Sequence, residues 1–155
     1  MNERSKKEYW DERSNKSRDI DKVYEDVTAF VNSTELGHKI IDLFQGSMLD
    51  VGCGYGRFYR TDREYLGIDF SDGMIKQAKA KFPNGDFKVR DWTKDIGLYD
   101  VVFEASCLSS FGGPLEDFIK ILLKHVNKNG VLIIFEAQGI HIIPKDNVFK
   151  YESWN

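Results

Sequence analysis

The spacing of apolar residues changes character near position 47. Before it, Ile20, Val23, Tyr24, Val27, Phe30 and Val31 recur three and four apart, and Leu36, Ile40, Ile41 and Phe44 repeat that step. This is the signature of amphipathic helix. Thr34 divides the two stretches as a helix cap, and Gly46 stands past the second, so two helices are expected. After position 47, short apolar runs take over. Met48–Val51, Tyr65–Asp69, Phe87–Val89, Tyr99–Phe103 and Val131–Phe135 read as strands, the last apolar on both faces as a central parallel strand must be. Between them lie two helical stripes. Ser71 caps one, whose inner face is Met74, Ile75, Ala78 and Phe82, stopped by Pro83-Asn84-Gly85. Gly113-Pro114 opens the other, with Leu115, Phe118, Ile119, Leu122, Leu123 and Val126 as its stripe and Asn129-Gly130 at its end.

Strands that alternate with helices require right-handed crossovers. The expected fold class is therefore α/β, a doubly wound and mainly parallel sheet with helices on both faces. At 155 residues the chain is expected to be one domain. It divides into N-terminal helices over 1–45, a core over 46–137 and a tail over 138–155. In such sheets ligands bind beyond the carboxyl ends of the strands, where strand order reverses.

Composition narrows the picture. Lys and Arg number 22 against 25 Asp and Glu, a net charge of −3 that argues against a sequence-independent nucleic-acid binder. Lys6, Lys7, Arg13, Lys16 and Arg18 cluster near the start, but Glu3, Glu8, Asp11, Glu12 and Asp19 are interleaved with them. That mixture reads as a solvated helix face. The two cysteines, Cys53 and Cys107, have no zinc-type spacing, and no metal site is expected. As small reduced fillers they suit a cytoplasmic compartment. The polar start is no signal peptide, and no apolar run approaches the ~20 residues of a membrane span.

The segment with most chemistry is Asp50-Val51-Gly52-Cys53-Gly54-Tyr55-Gly56, directly after a strand. Alternate glycines allow a tight turn of positive φ and let a ligand approach bare backbone. The Asp50 carboxylate beside that turn favours a cation over a phosphate. Dinucleotide enzymes also carry a glycine-rich turn, but here the third glycine comes one place early, and Arg57 follows it.

The segment resembles the first motif of the Rossmann-like (class I) S-adenosylmethionine-dependent methyltransferases. The resemblance continues in order through Asp69, Asp91-Trp92, Tyr99-Asp100-Val101-Val102 and the helix-Asn129-Gly130-strand unit, and covers roughly 47–137. It implies that Asp50, Gly52, Gly54 and Gly56 cradle the methionine end of S-adenosylmethionine. It also implies that Asp69 accepts the ribose hydroxyls, and that Phe70 and Met74 meet the adenine faces. Asp91 would receive the adenine amine, with the Trp92 backbone beside it, and the segment Glu104-Ala105-Ser106-Cys107 would lie near the methionine amino group and the methyl donor. Tyr9-Trp10-Asp11-Glu12-Arg13 resembles the aromatic arm that closes over the cofactor in many small-molecule methyltransferases. Glu104 and His141 are the candidate general bases; His38 and His125 read as structural or solvated.

The implied activity is in-line methyl transfer from S-adenosylmethionine, yielding S-adenosylhomocysteine, to a nucleophile on a small molecule. The Asn-Pro-Pro-Tyr type of segment used on exocyclic base amines is absent, and no proline precedes Cys107, so a nucleic-acid base is not the expected acceptor. The alternatives are a non-catalytic cofactor-binding subunit that serves a partner methyltransferase, and a dinucleotide-binding protein. Two departures from the family pattern stand out. Asp69 follows Gly56 by 13 positions, which leaves room for a first crossover helix of only one turn. Only 18 residues follow Ala137, so the last antiparallel strands are expected to be reduced or missing, with one further strand over 148–151. The fifth strand would then be an open edge, covered by a second copy or a partner subunit.

Overall fold

The computed structural model describes residues 7–12, 27–137 and 139–146. Six strands form one sheet: β1 (Met48–Val51), β2 (Tyr65–Asp69), β3 (Phe87–Val89), β4 (Tyr99–Ala105), β5 (Val126–Glu136) and β6 (Gly139–Pro144). Their order is β3-β2-β1-β4-β5-β6. The first five run parallel and β6 runs antiparallel to β5. The helices are α1 (residues 7–12), α2 (Val27–Ile41), α3 (Asp72–Lys81), α4 (Leu108–Phe111) and α5 (Leu115–Leu123).

Both faces of the sheet are covered, which is why its central strands β1, β2, β4 and β5 are buried at consecutive positions. On one face Leu49, Val51, Leu66, Ile68, Val102, Leu132 and Ile134 pack against Phe118, Ile119, Leu122 and Leu123 of α5. Each such side chain, removed from water, contributes about 1.5–3 kcal/mol. On the other face Met48, Tyr65, Val101, Phe103, Ile133 and Phe135 meet Ile40 and Ile41 of α2 and Ile75 and Ala78 of α3. The Ser71 side chain accepts the Met74 N–H and so caps α3 as its residue type anticipates.

Four features differ from the sequence reading. Among the described residues α2 runs unbroken from Val27 through Ile41; Thr34 is no cap, and its hydroxyl instead accepts from Arg57 Nε at 2.8 Å. The first crossover carries hydrogen-bonded turns over 54–58 and no helix. Asn129-Gly130 does not end α5; it lies inside β5, where Asn129 takes φ +63 and the β4–β5 register shifts between Tyr99 and Val101. A β-bulge of this kind lets β5 begin early, at Val126. Finally, β6 takes the outer edge of β5, with Ile140 opposite Phe135 and Ile142 opposite Ile133. The chain itself thus occupies the edge that was expected to be open. The strand anticipated over 148–151, the first part of the 20–31 helix and Arg13 lie outside the described residues.

Candidate cofactor site

Strand order reverses between β1 and β4, because the chain leaves β3 at one side of the sheet and re-enters at β4 on the other side of β1. A doubly wound sheet parts its loops at such a point and leaves a crevice. A cleft lies there, partly open to solvent. Its walls include Asp50, Gly52, Gly54, Asp69, Phe70, Met74 and Trp92, seven of the residues singled out in the sequence.

The floor is the turn after β1. Gly52 and Gly54 take φ +67 and +55, the left-handed region that favours glycine. A methyl group placed on Gly54 would meet nothing within 4 Å. It would project into open space, as expected of a backbone ledge kept bare for a ligand. A methyl on Gly52 would instead overlap Cys107 Sγ. Gly52 thus serves close packing against the segment after β4.

Asp69 closes the far side. Its carboxylate accepts the Gly54 N–H at 3.0 Å and the Ser71 N–H at 2.9 Å, which locks the glycine turn to the start of α3. A carboxylate has about four acceptor sites, so hydroxyl groups of a sugar can still be received. Burial pushes Asp69 up to about 6, against the backbone N–H groups of Ser71 and Gly54 that hold it down. Asp50 is 2% exposed and is pushed up to about 7, by burial above all. Tyr65 Oη donates to it at 2.6 Å, a bond that favours the carboxylate.

Four anticipated residues do not reach the cleft: Asp91, Gly56, Glu104 and His141. Asp91 is exposed, its Oδ1 accepts the Thr93 N–H and hydroxyl at 2.9 and 2.7 Å in a local turn, and it lies outside the cleft lining. Gly56 is buried under the turn against Phe82 and Phe87. Glu104 is wholly buried; its carboxyl accepts the Cys107 N–H at 3.0 Å and the Phe135 N–H at 3.2 Å and shares a hydrogen bond with Glu136. Burial, then the Glu136 charge, pushes it up to about 9. Its carboxyl braces the β4–β5 corner, away from the cleft lining. His141 sits within β6 opposite Ile134 and does not line the cleft. His125 is buried, with Nε2 2.7 Å from the Trp92 carbonyl oxygen, and His38 is half-buried beside Phe58.

Ser106 and Cys107 line the cleft as the segment after β4 was expected to, and Arg57 and Ser110 are walls that the sequence reading did not assign to the cofactor. Ser106 holds φ +63, uncommon outside glycine and a mark of a constrained corner. Arg57, next to the glycine run, was visible as the residue that breaks a dinucleotide pattern; its role in joining the turn to Ser33 and Thr34 was not. Trp10 of the aromatic arm does line the cleft. Asp11 fastens that arm to the start of α3 by accepting from the Ser71 hydroxyl and, at 3.1 Å, the Gly73 N–H, while Lys7 pairs with Asp72 at 2.5 Å. Among the described residues no cluster suited to a metal ion occurs, and no helix is long and apolar enough to cross a membrane.

The sheet order and the crevice at its switch point define a Rossmann-like, doubly wound α/β protein. Residues 49–132 match the family described as a methyltransferase domain, and the chain belongs to that family. It is 31% identical over 119 residues to the "Putative methyltransferase 235L" of Invertebrate iridescent virus 6, which is 70% of this chain and 44% of that protein. The chain therefore spans less than half the length of this relative. Solved structures share the fold. Magnesium protoporphyrin IX methyltransferase of Synechocystis PCC 6803, with bound SAH, gives a TM-score of 0.67 at 17% identity over 86% of this chain and 71% of that one. Phosphoethanolamine N-methyltransferase 1 of Haemonchus contortus gives 0.63 at 20% identity over 84% and 31%.

Proposed function

We propose that the chain binds S-adenosylmethionine in the switch-point cleft and transfers its methyl group to a nucleophile on a small molecule. One observation carries this reading: the cleft joins a bare glycine ledge, a buried acid at its floor and a second acid tied to that ledge. These suit, in turn, the main-chain approach, the cationic methionine end and the ribose of the cofactor. Phe70, Met74 and Trp92 supply the apolar walls that an adenine ring requires.

S-adenosylmethionine supplies a methyl group already activated on a sulfonium sulfur. The protein has only to hold the acceptor in line and exclude water, and positioning of this kind is worth up to ~7–11 kcal/mol. Ser106, Cys107 and Ser110 form the wall beside the segment after β4, where the acceptor would lie. Burial and neighbouring acids push the Cys107 thiol well up, which leaves it a protonated wall group and a poor nucleophile. Both cysteines are free, in keeping with a reducing, cytoplasmic setting.

A second reading, a cofactor-binding subunit serving a catalytic partner, is favoured by one fact: neither Glu104 nor His141 reaches the cleft. Calorimetric titration with S-adenosylmethionine, S-adenosylhomocysteine and NAD tests the site. Tight binding of the first two alone is expected, and preference for NAD refutes the assignment. Transfer of labelled methyl to a panel of small acceptors by the pure protein then separates enzyme from subunit.

A further inference from the structure

The sequence reading gave Tyr65 no role beyond opening β2, and Gly67 none at all. In the sheet, Gly67 lies directly opposite Asp50 on the neighbouring strand, and Tyr65 lies two residues before it on the same face. A methyl group on Gly67 would come within 2.9 Å of Tyr65 Oη and 2.7 Å of Phe87. The missing side chain is thus the corridor through which the Tyr65 hydroxyl reaches Asp50. Edge-on contacts with Tyr59 and Phe87, at ring centroid distances of 5.2 and 5.7 Å, fix the Tyr65 ring from outside. Among the described residues the Tyr65 hydroxyl makes the one hydrogen bond to the Asp50 carboxyl, and Asp50 itself lines the cleft.

We propose that Asp50 carries a proton while the cleft is empty, that uptake of the cofactor exchanges this proton for the cationic end of the ligand, and that Tyr65 is the positioning residue that sets the pH range of the exchange. The inference rests on the cofactor assignment above. In the exchange the carboxyl O–H bond of Asp50 breaks, its electron pair stays on the carboxylate, and the proton passes to the buffer. The carboxylate then faces the α-ammonium group of the ligand. Burial raises the cost of the Asp50 charge until a cation arrives. The groups that face Asp50 act in both directions. Asp69 at the end of β2 opposes its ionisation; Tyr65 and Arg57 favour it. Cys53 in the turn and Cys107 after β4 are close and stay protonated. Among the described residues of α2 and α3, the buried side chains are apolar: Ile40, Ile41, Met74, Ile75 and Ala78.

The test is calorimetric titration of the full chain with S-adenosylhomocysteine, repeated at each pH in two buffers of different ionisation enthalpy. The difference in heat counts protons released per ligand. Close to one proton is expected near pH 6 and close to none above about pH 8, with affinity weakening up to about tenfold per pH unit below that range. Tyr65→Phe removes a donor to the carboxylate and is expected to move this curve to higher pH, whereas a merely structural role would lower stability and leave the curve in place. Asp50→Asn, measured at saturating ligand, is expected to release close to none between about pH 7 and 8, where Asp69, pushed up to about 6, is already ionised. Failure of the wild-type chain to bind S-adenosylhomocysteine at all overturns the cofactor reading. Binding without proton release near pH 6, or release that persists in Asp50→Asn between about pH 7 and 8, overturns the exchange. An unmoved curve in a folded Tyr65→Phe protein overturns the part given to Tyr65. Should that variant not fold, the wild-type curve with Asp50→Asn still decides the exchange.

Discussion

Gly52 offers a sharp test of how the floor of the cleft is built. A methyl group there would overlap one atom, Cys107 Sγ; the next neighbours, Cys107 Cβ at 3.4 Å and Trp92 at 3.8 Å, are ordinary contacts. Two separate terms follow for Gly52→Ala. Holding alanine at φ +67 costs about 1–2 kcal/mol. Forcing the thiol aside in a closed core costs about 1–3 kcal/mol. The sum is about 2–5 kcal/mol of folding stability, read from urea unfolding followed by circular dichroism. Cys107→Ala removes the obstructing sulfur, so in the double variant only the backbone term should remain. The cycle is therefore expected to show coupling of about 1–3 kcal/mol. Additivity of the two substitutions within about 0.5 kcal/mol would refute the packing argument. Gly54→Ala is the control. It meets nothing in the empty protein, so it is expected to lose only the backbone term while weakening S-adenosylhomocysteine by about tenfold or more, through a methyl group that intrudes on the ligand.

Three further outcomes are expected. Folding raises Asp50 to about 7 and Asp69 to about 6, so the stability tied to their protonated forms is complete below the ordinary carboxyl range and is lost as pH rises through 6 and 7. Asp50→Asn should flatten that fall and stabilise the ligand-free protein near pH 8 by a few kcal/mol; an unchanged slope in pH-dependent urea unfolding contradicts this. Glu104→Gln puts an amide NH2 where one of the two accepting oxygens stood and is expected to strand one N–H at about 1–3 kcal/mol, whereas Glu104→Ala strands both the Cys107 and Phe135 N–H groups at about 1–3 kcal/mol each, and equal stability of the two variants counts against the brace. Asp11→Ala should loosen the arm from α3, costing about 1 kcal/mol and speeding amide exchange over residues 7–12; unaltered exchange there would show that the arm is held by other means.

Most of the sheet could be read from the chain because its central strands β1, β2, β4 and β5 carry consecutive buried positions and end beside turn signals. The bounds of β1, β2 and β3 needed no revision. What escaped has physical causes. The segment from Gly139 to Pro144 alternates as a strand should, but no two-residue turn of the Asn-Gly kind joins it to β5, so nothing local announced the hairpin. Asn129-Gly130 has the chemistry of a helix stop and was spent on a bulge, a choice that only the partner strand determines. Within the site, strand ends and glycines were legible because backbone demands them. Asp91 and Glu104 were not, since whether a side chain meets a ligand or its own backbone depends on rotamers that spacing does not encode. Tyr65 lay hidden for the opposite reason: an aromatic residue opening a strand reads as core until a glycine two positions later clears its way.

Trp92 carries a consequence for anyone wishing to remodel this protein. The connection from β3 to β4 has no helix, and over that part of the sheet Trp92 packs against Phe118 of α5 and Phe70 while also forming a wall of the cleft. Its carbonyl is tied to His125 at the foot of β5. Roof tile and binding surface are thus one indole. Reshaping the site for a bulkier ligand by trimming that ring would strip shelter from the sheet beneath, so altered selectivity here has to be sought at exposed Ser106 and half-buried Ser110, on either side of the packed Cys107.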